Sequence, residues 1–120
     1  MILVDTSIWI NHLRRGDQQL MDLLDSGQVL MHPFVLGELA CGNLRDRGQL
    51  LALLHELPRA VRPSDDEVLF FIEAQNLGGR GIGFVDAHLL ASAILSEVPL
   101  WTRDRRLQAV ATELGLTVPG

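Results

Sequence analysis

Short apolar runs alternate with longer amphipathic segments along this chain of 120 residues, and this alternation restricts the possible folds more than any other feature. The apolar runs predict strands near 1–5, 28–32, 59–62, 98–102 and 116–118. The intervening segments predict helices at roughly 7–13, 17–26, 34–43, 46–57, 64–77, 84–96 and 104–114. Such alternation is typical of a parallel sheet covered by helices. Because the chain has the length of one ordinary domain, we expect a single α/β domain over 1–120.

Four acidic residues lie where folding alone does not require a charge: Asp5, Glu38, Asp86 and Asp104. Asp5 follows an apolar run and is expected at the carboxyl end of the first strand. Asp104 lies just beyond a late strand. Glu38 and Asp86 fall on helical faces whose neighbours are mostly apolar, which predicts that both faces pack inward. The carboxyl ends of parallel strands form one edge of an open sheet, where ligands bind, so we expect the four acids to meet there.

Each acid also has a simpler structural interpretation. Asp5 could cap the first helix, while Asp86 and Asp104 could each favour a helix dipole from the first turn. Glu38 fits such an interpretation worst, because neither a cap nor the dipole helps in the middle of a helix. The joint pattern favours a shared ligand, since a buried carboxylate needs a proton, a cation or several hydrogen-bond donors.

Oxygen ligands without thiolates or paired histidines select magnesium or manganese over zinc. Ser7 and Thr102 each lie two residues from one of the aspartates and are suited to orienting a carboxylate or a water molecule. Thr6 could cap the first helix instead, and His32 is expected to border the pocket. Ser64 and Glu67 predict a capping box at the start of a helix.

Composition excludes several classes of protein. Cys41 is the only cysteine, so an internal disulfide or a cysteine-based zinc site is excluded, and its thiol is predicted to be a small core residue. Neither a signal peptide nor a membrane span fits the sequence, so a soluble cytoplasmic protein is expected. The net charge of −5 disfavours a nucleic-acid partner unless cations neutralise the acids. All ten basic residues are arginine, whose planar fork suits phosphate.

Four short segments together resemble the successive motifs of a PIN domain, and the similarity covers the whole chain. They are Val4-Asp5-Thr6-Ser7, Gly37-Glu38-Leu39-Ala40, Phe84-Val85-Asp86-Ala87-His88 and Leu100-Trp101-Thr102-Arg103-Asp104. More narrowly, a free-standing PIN domain of this length resembles a VapC-type toxin of a toxin–antitoxin pair.

This resemblance implies a three-layer α/β/α sandwich with a central parallel sheet. It implies an endoribonuclease that depends on magnesium or manganese, forms a homodimer and is inhibited by a VapB-type antitoxin. Asp5, Glu38, Asp86 and Asp104 would be the catalytic, metal-binding acids, with Ser7 and Thr102 as supporting polar residues. Asp5 and Asp86 would be the direct ligands of the metal that activates water against RNA.

Two other functions remain open on the sequence. A strand-terminal aspartate also accepts phosphoryl groups in haloacid-dehalogenase-like phosphatases and response-regulator receivers. Both normally use a lysine, which this chain lacks, and the phosphatase pattern has a second aspartate where Ser7 stands. The other alternative is a non-catalytic PIN-like module that binds RNA or protein, which an assay of metal-dependent cleavage would distinguish.

Overall fold

The computed structural model describes residues 1–118, and within this range three strands and seven helices follow one another along the chain. Their order is β1 (Ile2–Val4), α1 (Thr6–Arg15), α2 (Gln18–Asp25), β2 (Val29–Leu30), α3 (Pro33–Ala40), α4 (Arg47–His55), α5 (Asp65–Ala74), α6 (Phe84–Leu95), β3 (Leu100–Trp101) and α7 (Arg105–Glu113).

The sheet has the order β2-β1-β3, and both pairings are parallel. Leu3 of the central strand pairs with Leu30 on one side and with Leu100 on the other. Leu3 and Val4 are both fully buried, and successive side chains of a strand point to opposite faces of the sheet. Both faces are therefore covered, which makes the domain a three-layer α/β/α sandwich and confirms the predicted fold class.

The prediction of a strand over 59–62 is wrong. This segment contributes one isolated parallel bridge, between Met31 and Arg59. The bridge is closed by hydrogen bonds from the Met31 N–H to the Pro58 carbonyl and from the Ala60 N–H to the Met31 carbonyl. Proline cannot donate to a ladder, and the four residues between the prolines at 58 and 63 leave little room for a longer one.

The prediction of a strand over 116–118 is also wrong. Here the chain gives the sheet edge one hydrogen bond, from the Leu100 N–H to the Leu116 carbonyl. The apolar side chain of Leu116 is buried because it packs in the main core, so its hydrophobicity reflects core packing rather than a strand.

The seven predicted helices are present, and most of their ends differ from the prediction by one or two residues. The largest differences are three residues, at the end of the third helix, predicted over 34–43 but ending at Ala40, and of the fifth, predicted over 64–77 but ending at Ala74. Cys41 consequently lies at the C-cap and is exposed, so its prediction as a core residue is wrong. The predicted capping box is confirmed: the Glu67 N–H donates to Ser64 Oγ, and the Ser64 N–H donates to Glu67 Oε1.

Helix α6 is the most deeply buried helix of the described chain. Seven consecutive residues, Ala87–Ala93, are buried, and the helix packs against α5. This packing fixes the position of its first turn, which carries Asp86. Across residues 1–118, no helix is both long enough and apolar enough to cross a bilayer.

Candidate active site

Asp5 lies where β1 ends, between the central strand and α1. It is 7% exposed, and its N–H donates to the Trp101 carbonyl, which extends the pairing of β1 with β3. Although Asp5 holds the N-cap position of α1, its side chain makes no capping hydrogen bond. The simpler interpretation of Asp5 as a helix cap therefore does not explain its carboxylate.

Two hydroxyl groups hold the Asp5 carboxylate instead. Ser7 Oγ and Thr102 Oγ1 both donate to Asp5 Oδ2, at 2.8 Å and 2.7 Å. These hydroxyls accept hydrogen bonds in turn, Ser7 Oγ from the Arg103 N–H and Thr102 Oγ1 from the Asp104 N–H. The turn after β3 is thereby tied to the end of β1, and the Asp5 carboxylate is oriented jointly by Ser7, two positions away, and by Thr102, 97 positions away in sequence.

Glu38 reaches this region from α3. The structure contradicts the prediction that it lies on an inward-packing face, because Glu38 and its neighbour Gly37 are exposed while Val35 and Leu39 face the core. Thr6 Oγ1 donates to Glu38 Oε1 at 3.2 Å. Thr6 is buried and therefore restrains Glu38 rather than capping a helix, a role that the sequence analysis missed. Its position directly after Asp5 was the only available signal.

Asp86 lies in the first turn of α6 and is half-buried. Its Oδ2 accepts a hydrogen bond from the Gly83 N–H at 3.0 Å. Burial nevertheless raises the pKa of Asp86 above its ordinary value, against the lowering effect of that hydrogen bond, and the charges of Asp5 and Asp104 raise it further.

Asp104 is exposed and forms the N-cap of α7. Its Oδ1 accepts hydrogen bonds from the N–H groups of Arg106 and Leu107, at 2.9 Å and 3.1 Å. The predicted structural role of Asp104 at the start of the last helix is therefore confirmed. A helix cap and a catalytic role are compatible, because the capping bonds engage one of its two carboxylate oxygens.

The four acids lie close enough to affect one another's charge. Burial raises the pKa of Glu38 although the residue as a whole is exposed; the Thr6 hydrogen bond lowers it, and the charges of Asp5 and Asp86 raise it. Asp86 in turn is affected by Asp5 and Asp104. Asp5 and Asp86 thus connect all four acids in one region of negative potential, at the carboxyl edge of the sheet.

The chemistry of this donor set fits a hard divalent cation, since the four side chains offer only carboxylate oxygens. Burial first, and the charges of the neighbouring acids second, raise the pKa values of Glu38 and Asp86, and a cation would offset both effects. Within residues 1–118, no three His, Cys, Asp or Glu side chains converge tightly enough to hold one ion as they stand. Each carboxylate is turned toward its own local donor, so binding an ion requires the side chains to reorient.

Two of the four histidines, His32 and His88, lie in a separate, aromatic cluster. His32 and His88 are fully buried, and Phe34 packs against both rings at centroid distances of 5.2 Å and 4.8 Å. His32 Nδ1 accepts a hydrogen bond from the Phe34 N–H and caps α3, so the prediction that His32 borders the pocket is wrong. His88 Nε2 lies 2.9 Å from Asp65 Oδ1, which joins α6 to the start of α5.

Three comparisons place the chain among known proteins. The PIN domain family matches residues 2–113. Ribonuclease VapC32 of Mycobacterium tuberculosis, in strains CDC 1551 / Oshkosh and ATCC 25618 / H37Rv, is 45% identical over 119 residues, which cover 98% of this chain and 96% of the relative. The crystal structure of PAE2754 from Pyrobaculum aerophilum superposes with a TM-score of 0.61 over 91% of this chain and 78% of that one, at 21% identity. That structural likeness concerns the fold.

Proposed function

This chain belongs to the PIN domain family, and from that premise we propose that it is an endoribonuclease of the VapC type, the toxin of a type II toxin–antitoxin pair. Support comes from the name of the relatives that are 45% identical over nearly the whole chain, Ribonuclease VapC32. The observation that carries the proposal is the clustering of four carboxylates from separate elements around the end of β1, where burial and the neighbouring acids raise the pKa values of Glu38 and Asp86.

We further propose that Asp5 and Asp86 are the principal ligands of magnesium or manganese, with Glu38 and Asp104 completing the site. When bound, such a cation would neutralise the acids and supply an activated water for attack on a phosphodiester. The pKa values of Glu38 and Asp86 support this assignment, because raised values in a cluster of like charges are typical of a site that needs a counter-charge.

The polar residues around the acids have positioning roles in this proposal. Ser7 and Thr102 both donate to Asp5 Oδ2, so they fix the orientation of the carboxylate. Thr6 restrains Glu38 in the same way from the first turn of α1. Thr6 and Ser7 lie in the first turn of α1, just after β1, and Thr102 directly follows β3, so the sheet and this helix start determine where the acids stand.

The partners follow from the same family assignment. We propose RNA as substrate, a VapB-type antitoxin as inhibitor, a homodimer as the working assembly and the cytoplasm as its location. Residues 1–120 would form a single PIN domain. The exposed positions of Glu38 and Asp104 support a macromolecular substrate, because a long phosphate chain can reach acids that lie at the surface.

The test is cleavage of a structured RNA by the purified protein in magnesium or manganese, and again in excess EDTA. We expect cleavage with metal and none with chelator. Asp5→Asn and Asp86→Asn should each lower the cleavage rate by more than about 100-fold, the upper range for losing a group that only supports a metal ligand. Asp25→Asn is the matched control, since it removes the same charge from an exposed position on α2.

Melting curves of the three variants show whether the fold is intact. Cleavage that persists in EDTA would contradict the metal mechanism. RNA binding without cleavage by the wild-type protein would favour the alternative of a non-catalytic PIN-like module.

A further inference from the structure

A groove of about 530 Å³ leads away from the candidate active site beside Glu38. One wall comes from α1 and the other from the segment between α3 and α4, and the lining includes Ile10, Leu13, Arg14, Glu38, Arg45 and Leu50. The groove therefore has apolar walls, one acid that belongs to the candidate site, and two arginines.

The two arginines of the groove differ from four other arginines, whose side chains bind protein groups, and in the described part of the chain they share their lack of such interactions with Arg15, Arg103, Arg105 and Arg106. Arg80 pairs with Glu113, Arg59 donates to His55, and Arg62 lies over the Phe34 ring at 4.9 Å. Arg47 donates to the carbonyls of Ala40 and Gly42. Within residues 1–118, the side chains of Arg14 and Arg45 make no such hydrogen bond or ion pair, and both are exposed. Their guanidinium groups are thus available to a ligand in the groove.

Stabilisation of a helix by a positive charge explains the position of at most one of these two arginines. Arg14 lies in the last turn of α1, where a positive charge is favourable to the helix dipole. Arg45 immediately precedes Asp46, the N-cap of α4, and a positive charge is unfavourable at a helix N-terminus. The loop that carries Arg45 is tied to the end of α3 by Arg47, so its position over the groove is fixed by the fold.

We propose that Arg14 and Arg45 bind backbone phosphates of the RNA on one side of the bond to be cut, and that the groove guides the strand toward Glu38. The proposal rests on the proposed function. The two exposed guanidinium groups of the groove match a phosphate chain, because the planar guanidinium binds phosphate in a bidentate manner.

The lining also indicates how this part of the substrate is recognised. The described lining of the groove contains no aromatic ring, and aromatic stacking is the usual source of base affinity for single strands. Binding in the groove should therefore depend on phosphate contacts and tolerate changes of base sequence. Such contacts release counterions, which makes them measurable through the salt dependence of binding.

The experiment measures binding of a fluorescein-labelled RNA hairpin with an unpaired loop, by anisotropy in EDTA, between about 50 and 200 mM KCl. For Arg14→Ala and Arg45→Ala we expect the slope of log K against log salt to become shallower by about 0.7 to 0.9 each, the contribution of one phosphate contact. Arg15→Ala is the matched control, an exposed arginine of the same helix end outside the described groove lining, and its slope should equal that of wild type.

Cleavage kinetics in magnesium add a second measurement. Arg14→Ala and Arg45→Ala should raise KM with little change in kcat, because these contacts hold substrate and transition state equally. Equal slopes for all four proteins would overturn the proposal. So would unchanged RNA binding combined with lost inhibition by the antitoxin, which would make the groove a protein-binding surface. An arginine-dependent slope in a protein that never cleaves RNA would support the groove and overturn the proposed activity.

Discussion

His32 shows at the scale of one residue how burial changes chemistry. Its Nδ1 accepts the Phe34 N–H, while Nε2 is buried without a partner among residues 1–118. Burial, with smaller contributions from the charges of His88, Arg62 and Arg59, lowers the pKa of His32 from 6.5 to about 4. Because the pKa of His32 is lower in the folded than in the unfolded protein, protonation favours the unfolded state. The stability that depends on a neutral His32 ring is fully present above pH 6.5 and is lost as the pH falls toward 4.

We therefore expect acid to destabilise the wild-type protein through His32. The free energy of unfolding should fall by about 2 kcal/mol between pH 7 and pH 5 from this residue, at about 1.36 kcal/mol per pH unit of proton uptake. His32→Asn removes the titrating ring and keeps a side chain that caps helices well. Urea unfolding at the two pH values should show a smaller pH effect in the variant, although its stability at pH 7 is lower. If the pH change lowers the stability of both proteins equally, the loss of stability in acid does not come from His32.

Asp104 at the start of helix α7 has two roles, as a helix cap and as a clustered acid. Substitutions can separate these roles. Asp104 caps the helix through the N–H groups of Arg106 and Leu107, and it is also one of the four clustered acids. Asparagine caps as well as aspartate but lacks the charge, whereas alanine loses both. We expect Asp104→Asn to keep wild-type stability, Asp104→Ala to lose about 1 kcal/mol, and both to lose RNA cleavage.

Ser64→Ala is the control at the start of α5, because it removes a side-chain cap far from the acids in sequence. The Ser64→Ala substitution should lower the free energy of unfolding by about 1 kcal/mol and leave the rate of RNA cleavage unchanged. Unfolding curves and cleavage rates of all three variants provide the comparison. If Asp104→Asn cleaves RNA at the wild-type rate, Asp104 is a helix cap and no more.

For the whole molecule, the clustered acids connect metal binding with stability. Burial and the charges of Asp5 and Asp104 raise the pKa of Asp86 despite the Gly83 hydrogen bond and the favourable helix dipole, so the charged side chain costs stability in the folded protein. In EDTA at neutral pH, Asp86→Asn should therefore melt at a higher temperature than wild type. Magnesium at about 100 times its Kd should stabilise wild type by about 2.7 kcal/mol, because the ion binds the folded site.

The Asp86→Asn variant should gain much less stability from magnesium than wild type, since it lacks one proposed metal ligand. Melting curves of wild type and Asp86→Asn, each with EDTA and with magnesium, give the four melting temperatures that the comparison requires. Asp25→Asn controls for a general effect of net charge, because it makes the same change on an exposed part of α2. A wild-type protein that gains no stability from magnesium, together with a less stable apo variant, would show that the acids are not a strained cluster.

Much of this protein was determined by local sequence. The apolar run that ends at Asp5 predicted the central strand and its end, and Ser64 with Glu67 predicted the start of a helix. The resemblance of four short segments to PIN domain motifs identified the family and selected the candidate acids. These features were predictable because caps, strand ends and short motifs depend on residues a few positions apart.

The tertiary structure decided the surroundings of those acids. Thr102 reaches Asp5 across 97 positions because β3 pairs beside β1, and the strand order of a sheet is not encoded in any short segment. The same limitation explains the wrong predictions. Apolar periodicity placed Glu38 on an inward face, but α3 turns that side to solvent, while His32 is buried against its neighbour Phe34 and against His88 of the distant helix α6. Burial depends on which elements pack together, because the hydrophobic effect acts between surfaces that only the folded chain brings into contact.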